Sequence, residues 1–206
     1  SLSVHKARPW FVHLSYLAPH PPFIAPEPYH SMYDPDAVPK PVRAATVEDE
    51  AAQHPYLDYY LHHQRGWGIQ YKHESKNNLK LDDKDVLQAR ATYYGMMSEV
   101  DAHIGRLIAY LEEAGIYENT LVVFTSDHGE QLGDHWQFSK FGYFDQSFHV
   151  PLIVRAPGAG GDCARGRRVD ALTESVDIMP TILESLGVPI PDQCDGEPLT
   201  RFCQGE

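Results

Sequence analysis

Between Asp82 and Gly115 the apolar residues Leu87, Tyr94, Met97, Val100, Ile104, Leu107, Ile108 and Leu111 recur every three or four positions. That spacing keeps them on one face of an α-helix and on no face of a strand. Asp82 or Asp83 is available as N-cap and Gly115 as the C-terminal stop, so the pattern predicts one long helix over 84–114. A helix this long with one apolar stripe needs a surface to cover. Two apolar runs without alternation flank it, 9–17 before and 120–125 after, with the composition of strands buried on both faces of a parallel sheet. Strand, crossover helix and strand make a parallel unit, which places the carboxyl ends of both strands at the same edge. Residues 151–156 read as a third strand, 169–172 as a short further one, and 177–186 as a helix stopped by Gly187. The expected architecture is α/β, an α/β/α sandwich with a mostly parallel sheet and the long helix packed on one of its faces.

The 9–17 run ends at Ala18-Pro19-His20-Pro21-Pro22, where prolines force the chain out of the sheet and leave His20 in the loop at the strand's carboxyl end. Residues 23–80 are rich in Pro, Tyr and His, and the first glycine of the chain is Gly66. This stretch reads as a long irregular excursion with one short helix around 55–64, of the kind that serves as a lid or contact arm. The length of the 1–206 chain suits one domain with a sizeable core.

Charge narrows the partners. Seventeen Lys and Arg against 29 Asp and Glu leave a formal net charge of −12, which repels a phosphate backbone and excludes nucleic acid as an expected partner. No apolar run approaches the roughly 20 residues needed to span a bilayer, so no membrane partner is expected either. Three cysteines, Cys163, Cys194 and Cys203, leave at least one thiol unpaired, which favours a reducing, cytoplasmic location. A homo-oligomer is compatible with everything above.

The chemistry concentrates in Thr125-Ser126-Asp127-His128-Gly129-Glu130-Gln131-Leu132-Gly133-Asp134-His135, directly after the second apolar run. A carboxylate and an imidazole at adjacent positions reach one ion only where the backbone turns sharply, as Gly129 permits. The mixed oxygen and nitrogen donors suit one divalent ion, Zn²⁺, Mn²⁺ or Ca²⁺. Taken alone, Asp-His-Gly after a strand is most often a solvated turn. His20 at the end of another strand and Lys140 in Phe138-Ser139-Lys140-Phe141-Gly142-Tyr143 alter that balance. An ion pair of ligands, a further imidazole and a cation on neighbouring loops is the set needed to hold a tetrahedral oxyanion and protonate a leaving group.

Five segments carry a resemblance. Leu17-Ala18-Pro19-His20-Pro21-Pro22, the helix containing Val100-Asp101-Ala102-His103-Ile104-Gly105-Arg106, the 125–135 segment, Lys140-Phe141-Gly142-Tyr143 and Ser175-Val176-Asp177-Ile178-Met179-Pro180-Thr181 stand in the order seen in sulfatases. The chain resembles the sulfatase branch of the alkaline phosphatase superfamily. Its Asp-His pair, with Leu132-Gly133-Asp134-His135 and Lys140-Phe141-Gly142-Tyr143, is most similar to the phosphonate monoester and phosphodiester hydrolases of that branch. The resemblance implies an alkaline-phosphatase-like fold and a hydrolase of phosphonate or phosphate esters, with a sulfate-ester hydrolase as the nearest rival. It further implies Asp127 and His128 as metal ligands, Lys140 on the oxygens of the transferring group, and His20 as donor to the leaving oxygen. His135 stands between a substrate contact and a support for a ligand. Asp101 and His103 read as structural groups on a helix face buried against the sheet, and Ser175 and Asp177 as caps of the following helix.

The family's nucleophile is a formylglycine made from the cysteine of a Cys-x-Pro/Ala-x-Arg motif. The nearest string, Cys163-Ala164-Arg165-Gly166-Arg167, carries Arg165 where Pro or Ala is required and follows the Asp-His pair instead of preceding it. It is rejected as the nucleophile. The chain is therefore expected to be the second half of a catalytic domain whose first half supplies the nucleophile and the other metal ligands, and to be inactive by itself. A non-catalytic metal-binding or interaction module is the alternative from another class, separated from the enzyme by whether that cysteine motif is encoded upstream.

Overall fold

The computed structural model describes residues 9–63, 82–158 and 164–205. The excursion beyond His63 and the rejected Cys163 lie outside the described residues. The helices are α1 (Val47–Ala51), α2 (Pro55–His63), α3 (Asp83–Glu113), α4 (Asp145–Phe148), α5 (Ile178–Ser185) and α6 (Thr200–Cys203), with strands β1 (Val122–Thr125) and β2 (Leu152–Arg155).

Helix α3 begins where its cap was expected. The Asp82 carboxylate accepts from Asp85 N at 3.0 Å and the Asp85 carboxylate from Asp82 N at 3.2 Å, a reciprocal box that satisfies two otherwise orphaned donors. At the other end Gly115 takes φ +67°, and Ile116 N donates to Leu111 O at 3.0 Å, closing the helix in the left-handed turn that glycine makes without strain. Its buried face differs from the expected one. Val86, Arg90, Ala91, Gly95, Met96 and Leu111 are buried, whereas Met97 is exposed. Gly95 decides this, because the helix crosses the 29–31 turn so closely that a Cβ at Gly95 would lie 2.0 Å from Tyr29 O. Gly95→Ala should force the crossing apart and destabilise the fold by about 1–3 kcal/mol, the usual cost of overpacking, read as a lowered midpoint in urea. Asp101 and His103 are exposed, so neither is the buried helix-face group anticipated, and among the described residues the long helix packs chiefly on the 29–31 and 117–119 turns.

The sheet is the larger departure. β1 and β2 form where the 120–125 and 151–156 runs stand, but they pair antiparallel, Val122 opposite Arg155 and Thr125 opposite Leu152. Residues 9–17 form no strand, and Phe11 and Leu17 are 70% and 76% exposed. A strand exists through its ladder, and among the described residues nothing pairs with this run, so its apolar composition alone does not make it one. The parallel unit is therefore not formed here, and 169–172 is likewise no strand, with Leu172 fully exposed. Arg155 ties the strand pair to the turn before it, donating to Tyr117 O at 2.8 Å and Thr120 O at 3.0 Å while its guanidinium lies 3.9 Å over the Tyr117 ring.

The core sits within the supposed excursion. Ala51, Leu57, Tyr60 and Leu61 of α1 and α2 are buried together, with Trp136 and Phe144 packed against them. Residues 47–63 are thus a floor beneath the 126–148 loop. Near the C-terminus α5 follows a turn held by Asp177, whose carboxylate accepts from Glu174 N at 2.8 Å and Glu197 N at 2.9 Å; Ser175 makes no capping bond. Gly187, at φ +67°, ends that helix as expected.

Candidate active site

β1 delivers Asp127 and His128 to the surface two residues after it ends. The loop then turns under itself. Gly129 N donates to Ser147 O at 2.8 Å, and a Cβ at Gly129 would stand 2.0 Å from Gln146 O. Glycine is required here for the close approach of α4's backbone, and not for a left-handed φ as a sharp turn would have demanded.

The side chains converge. The His128 ring nitrogen Nδ1 lies 2.8 Å from Gly129 O; a carbonyl only accepts, so Nδ1 carries the proton and Nε2 keeps its lone pair. Lys140 Nζ donates to that Nε2 at 2.6 Å, and Asp127 Oδ2 lies 3.6 Å from it. Asp127 is 87% exposed and His128 24%. His20 reaches the same place from the other end of the chain, its ring meeting that of His128 edge-on at 6.3 Å. Its Nδ1 is tied to Pro21 O at 2.8 Å, so its Nε2 is the nitrogen free to exchange a proton. All four residues singled out in the sequence are therefore gathered around one imidazole.

Whether the donors fit a divalent ion rests on His128. A histidine whose one nitrogen donates to a backbone carbonyl presents the other as a fixed, basic ligand, and here that nitrogen faces a carboxylate. The pair fits as part of a ligand set. Among the described residues no group of three His, Cys, Asp or Glu side chains surrounds a common point, so two donors are what this region brings.

Behind the loop stands a buried network that pattern reading did not reach. Arg90 of α3 pairs with Asp134, both nearly inaccessible, and its Nε donates to Leu132 O at 2.8 Å. Asp134 also accepts from Val42 N at 2.9 Å and from Gln146 Nε2 at 2.8 Å. His135 touches neither His128 nor Lys140; its Nδ1 bonds the Glu50 carboxylate at 2.9 Å and its ring stacks 3.6 Å from Phe144. It is a support. The network holds a contorted backbone, since Leu132, His135, Trp136 and Ser139 all take positive φ between 50° and 72°, a conformation costing on the order of 1–3 kcal/mol each. The signal available in the sequence was Arg90 itself, four residues after Val86 on what proves to be the buried stripe. Glu130, next to His128, is held above the usual carboxylate range by burial, against the lowering effect of Ser139 N donating to it. Tyr93 and Tyr60 are each pushed up to about 12, chiefly by burial.

The family model for sulfatases matches residues 2–188. The chain belongs to the sulfatase family. The multifunctional alkaline phosphatase superfamily protein PehA of Trinickia caryophylli is 45% identical over 201 residues, covering 98% of this chain and 38% of PehA. An arylsulfatase of Clostridium perfringens is 33% identical over 194 residues, 92% of this chain and 36% of its own. The crystal structure of a phosphonate monoester hydrolase of Agrobacterium radiobacter superposes with a TM-score of 0.89 at 40% identity, over 99% of this chain and 40% of that one. The fold class is accordingly the alkaline-phosphatase-like one that the five segments implied, and the sulfatase-family chain spans 36–40% of the length of these relatives.

Proposed function

We propose that this chain provides the leaving-group and part of the metal-binding side of a hydrolase of phosphonate or phosphate esters, the formylglycine nucleophile and further metal ligands coming from sequence outside these 206 residues. The observation that carries the reading is the His128 imidazole, locked with Nε2 outward by Gly129 O and met there by Asp127, Lys140 and His20. The likeness to PehA and to a phosphonate monoester hydrolase puts phosphorus esters first. A sulfate ester is the second reading, favoured by the likeness to an arylsulfatase.

In this reading Asp127 and His128 would hold one divalent ion, of calcium, manganese or zinc type, which would supply Lewis-acid stabilisation of the negative oxygens. Lys140, already at the same nitrogen, places its ammonium on a non-bridging oxygen of the transferring group. His20, its Nδ1 occupied by Pro21 O, gives the Nε2 proton to the departing oxygen as the bond to phosphorus or sulfur breaks, so that an alcohol leaves instead of an alkoxide. The 206-residue chain alone lacks the nucleophile and is inactive.

Lys140→Ala in the whole protein should lower kcat/KM for aryl phosphonate monoesters by about 2–4 kcal/mol, roughly thirty- to thousand-fold, while bound metal stays at the parental level. Parental kcat/KM in that variant would remove Lys140 from the site. An unchanged ratio of phosphonate to sulfate hydrolysis would show that it serves both groups alike.

A further inference from the structure

The loop that carries His20 is joined to the 126–148 loop without a hydrogen bond. Among the described residues, every hydrogen bond made by residues 18–25 stays within residues 17–25: His20 N to Leu17 O, Ile24 N to Pro22 O, and His20 Nδ1 to Pro21 O. What spans the gap is aromatic. Phe23, three residues after His20, meets Phe138, two residues before Lys140, with ring centroids 6.3 Å apart, and meets Tyr93 of α3 edge-on at 6.0 Å. All three rings are partly buried. Aromatic pairs at these separations are favourable beyond their burial and restrict the relative orientation of the elements they join.

We infer that Phe23, Phe138 and Tyr93 form a clamp that holds the His20 imidazole over the Asp127, His128 and Lys140 site, and so are positioning residues for proton delivery to the leaving oxygen. This rests on the hydrolase reading for its catalytic consequence, but not for the geometry. A loop joined to its neighbour across this gap by ring contacts and by no hydrogen bond shifts when a ring is removed, because no directional bond between the two loops fixes their registry. The imidazole then loses its registry with the scissile oxygen, whereas Asp127, His128 and Lys140, held on the other loop by its own hydrogen bonds, keep theirs. The step affected is proton transfer from His20 Nε2 to the oxygen that takes the electron pair of the broken bond, leaving neutral imidazole. An ester whose leaving group is a strong acid needs no such proton. One with a weakly acidic leaving group does.

The test uses the whole protein and a series of aryl phosphonate monoesters graded by the acidity of the leaving phenol, with parent, Phe23→Ala, Phe138→Ala, Phe23→Leu and His20→Ala. Phe23→Ala and Phe138→Ala should lose about ten- to hundred-fold in kcat/KM on the least acidic phenols and little on the most acidic, so that the leaving-group dependence steepens toward that of His20→Ala. Phe23→Leu, which keeps apolar bulk, should restore most of the loss. Equal losses across the series, or an unchanged dependence, would overturn the clamp while leaving the hydrolase reading intact. The imidazole ¹H–¹⁵N resonances of the same proteins give a readout independent of turnover: those of His20 should shift in Phe23→Ala while those of His62 and His63 stay put. If the parent hydrolyses none of the esters the hydrolase reading fails, and unmoved His20 resonances would then overturn the positioning as well.

Discussion

Asp127→Ala in the whole protein should lose the bound divalent ion and, with it, ester hydrolysis by at least about 10³-fold. In the proposed reading Asp127 Oδ2, 3.6 Å from His128 Nε2, is the charged member of the ligand pair, and its removal would take away the ion whose field stabilises the transferring oxygens. His128→Ala should behave in the same way, because its Nε2 is the fixed donor of the pair. His103→Ala is the control; that residue is exposed on α3, its ring lies 3.3 Å from the Arg106 guanidinium, and its loss should change neither metal content nor rate. Metal measured by elemental analysis beside kcat/KM separates the outcomes. Activity kept with metal retained in Asp127→Ala would remove it from the ligand set.

Arg90→Ala should destabilise the fold by about 3–5 kcal/mol, since it strands the Asp134 carboxylate, 9% exposed, without its cation. The consequence reaches the site through the backbone. Leu132 O, Asp134 and Val42 are tied together through this one guanidinium and its partner, and they hold the left-handed residues that lead from the Asp-His pair to Lys140. Releasing Arg90 should let 132–139 relax toward ordinary dihedrals, giving both a lower urea midpoint and faster amide exchange in that loop than in α5. A midpoint within about 0.5 kcal/mol of the parent would show that the pair is not what holds the loop.

What the sequence disclosed about this molecule divides along the range of the interactions. Helix α3 with Asp82 and Gly115 at its ends, helix α2, helix α5 with Gly187, and the two runs that become β1 and β2 are written in caps, stops and periods a few residues long. The partner and direction of each strand are not. Residues 9–17 have a strand's composition but no ladder among the described residues, and the β1–β2 pairing is antiparallel because the 126–151 loop folds back. The stripe of α3 was misplaced for the same reason: Gly95 against Tyr29 O is a contact across 66 residues. At the site, His20, Asp127, His128 and Lys140 were legible because each sits in a short segment whose chemistry is explicit. Glu50, Arg90, Phe23 and Tyr93 were not, since a buried carboxylate or ring acquires meaning only from what it touches, 85 residues away in the case of Glu50 and His135.

The site itself is tested most directly by anomalous diffraction from crystals of the whole protein equilibrated with Mn²⁺. The expected result is one strong peak bonded to an Asp127 carboxylate oxygen and to His128 Nε2 at about 2.0–2.6 Å, the span of divalent-ion ligand distances, with the Lys140 ammonium turned from that nitrogen toward the open side of the ion. A strong peak held elsewhere, with His128 Nε2 still accepting from Lys140 and Asp127 free in solvent, would contradict it.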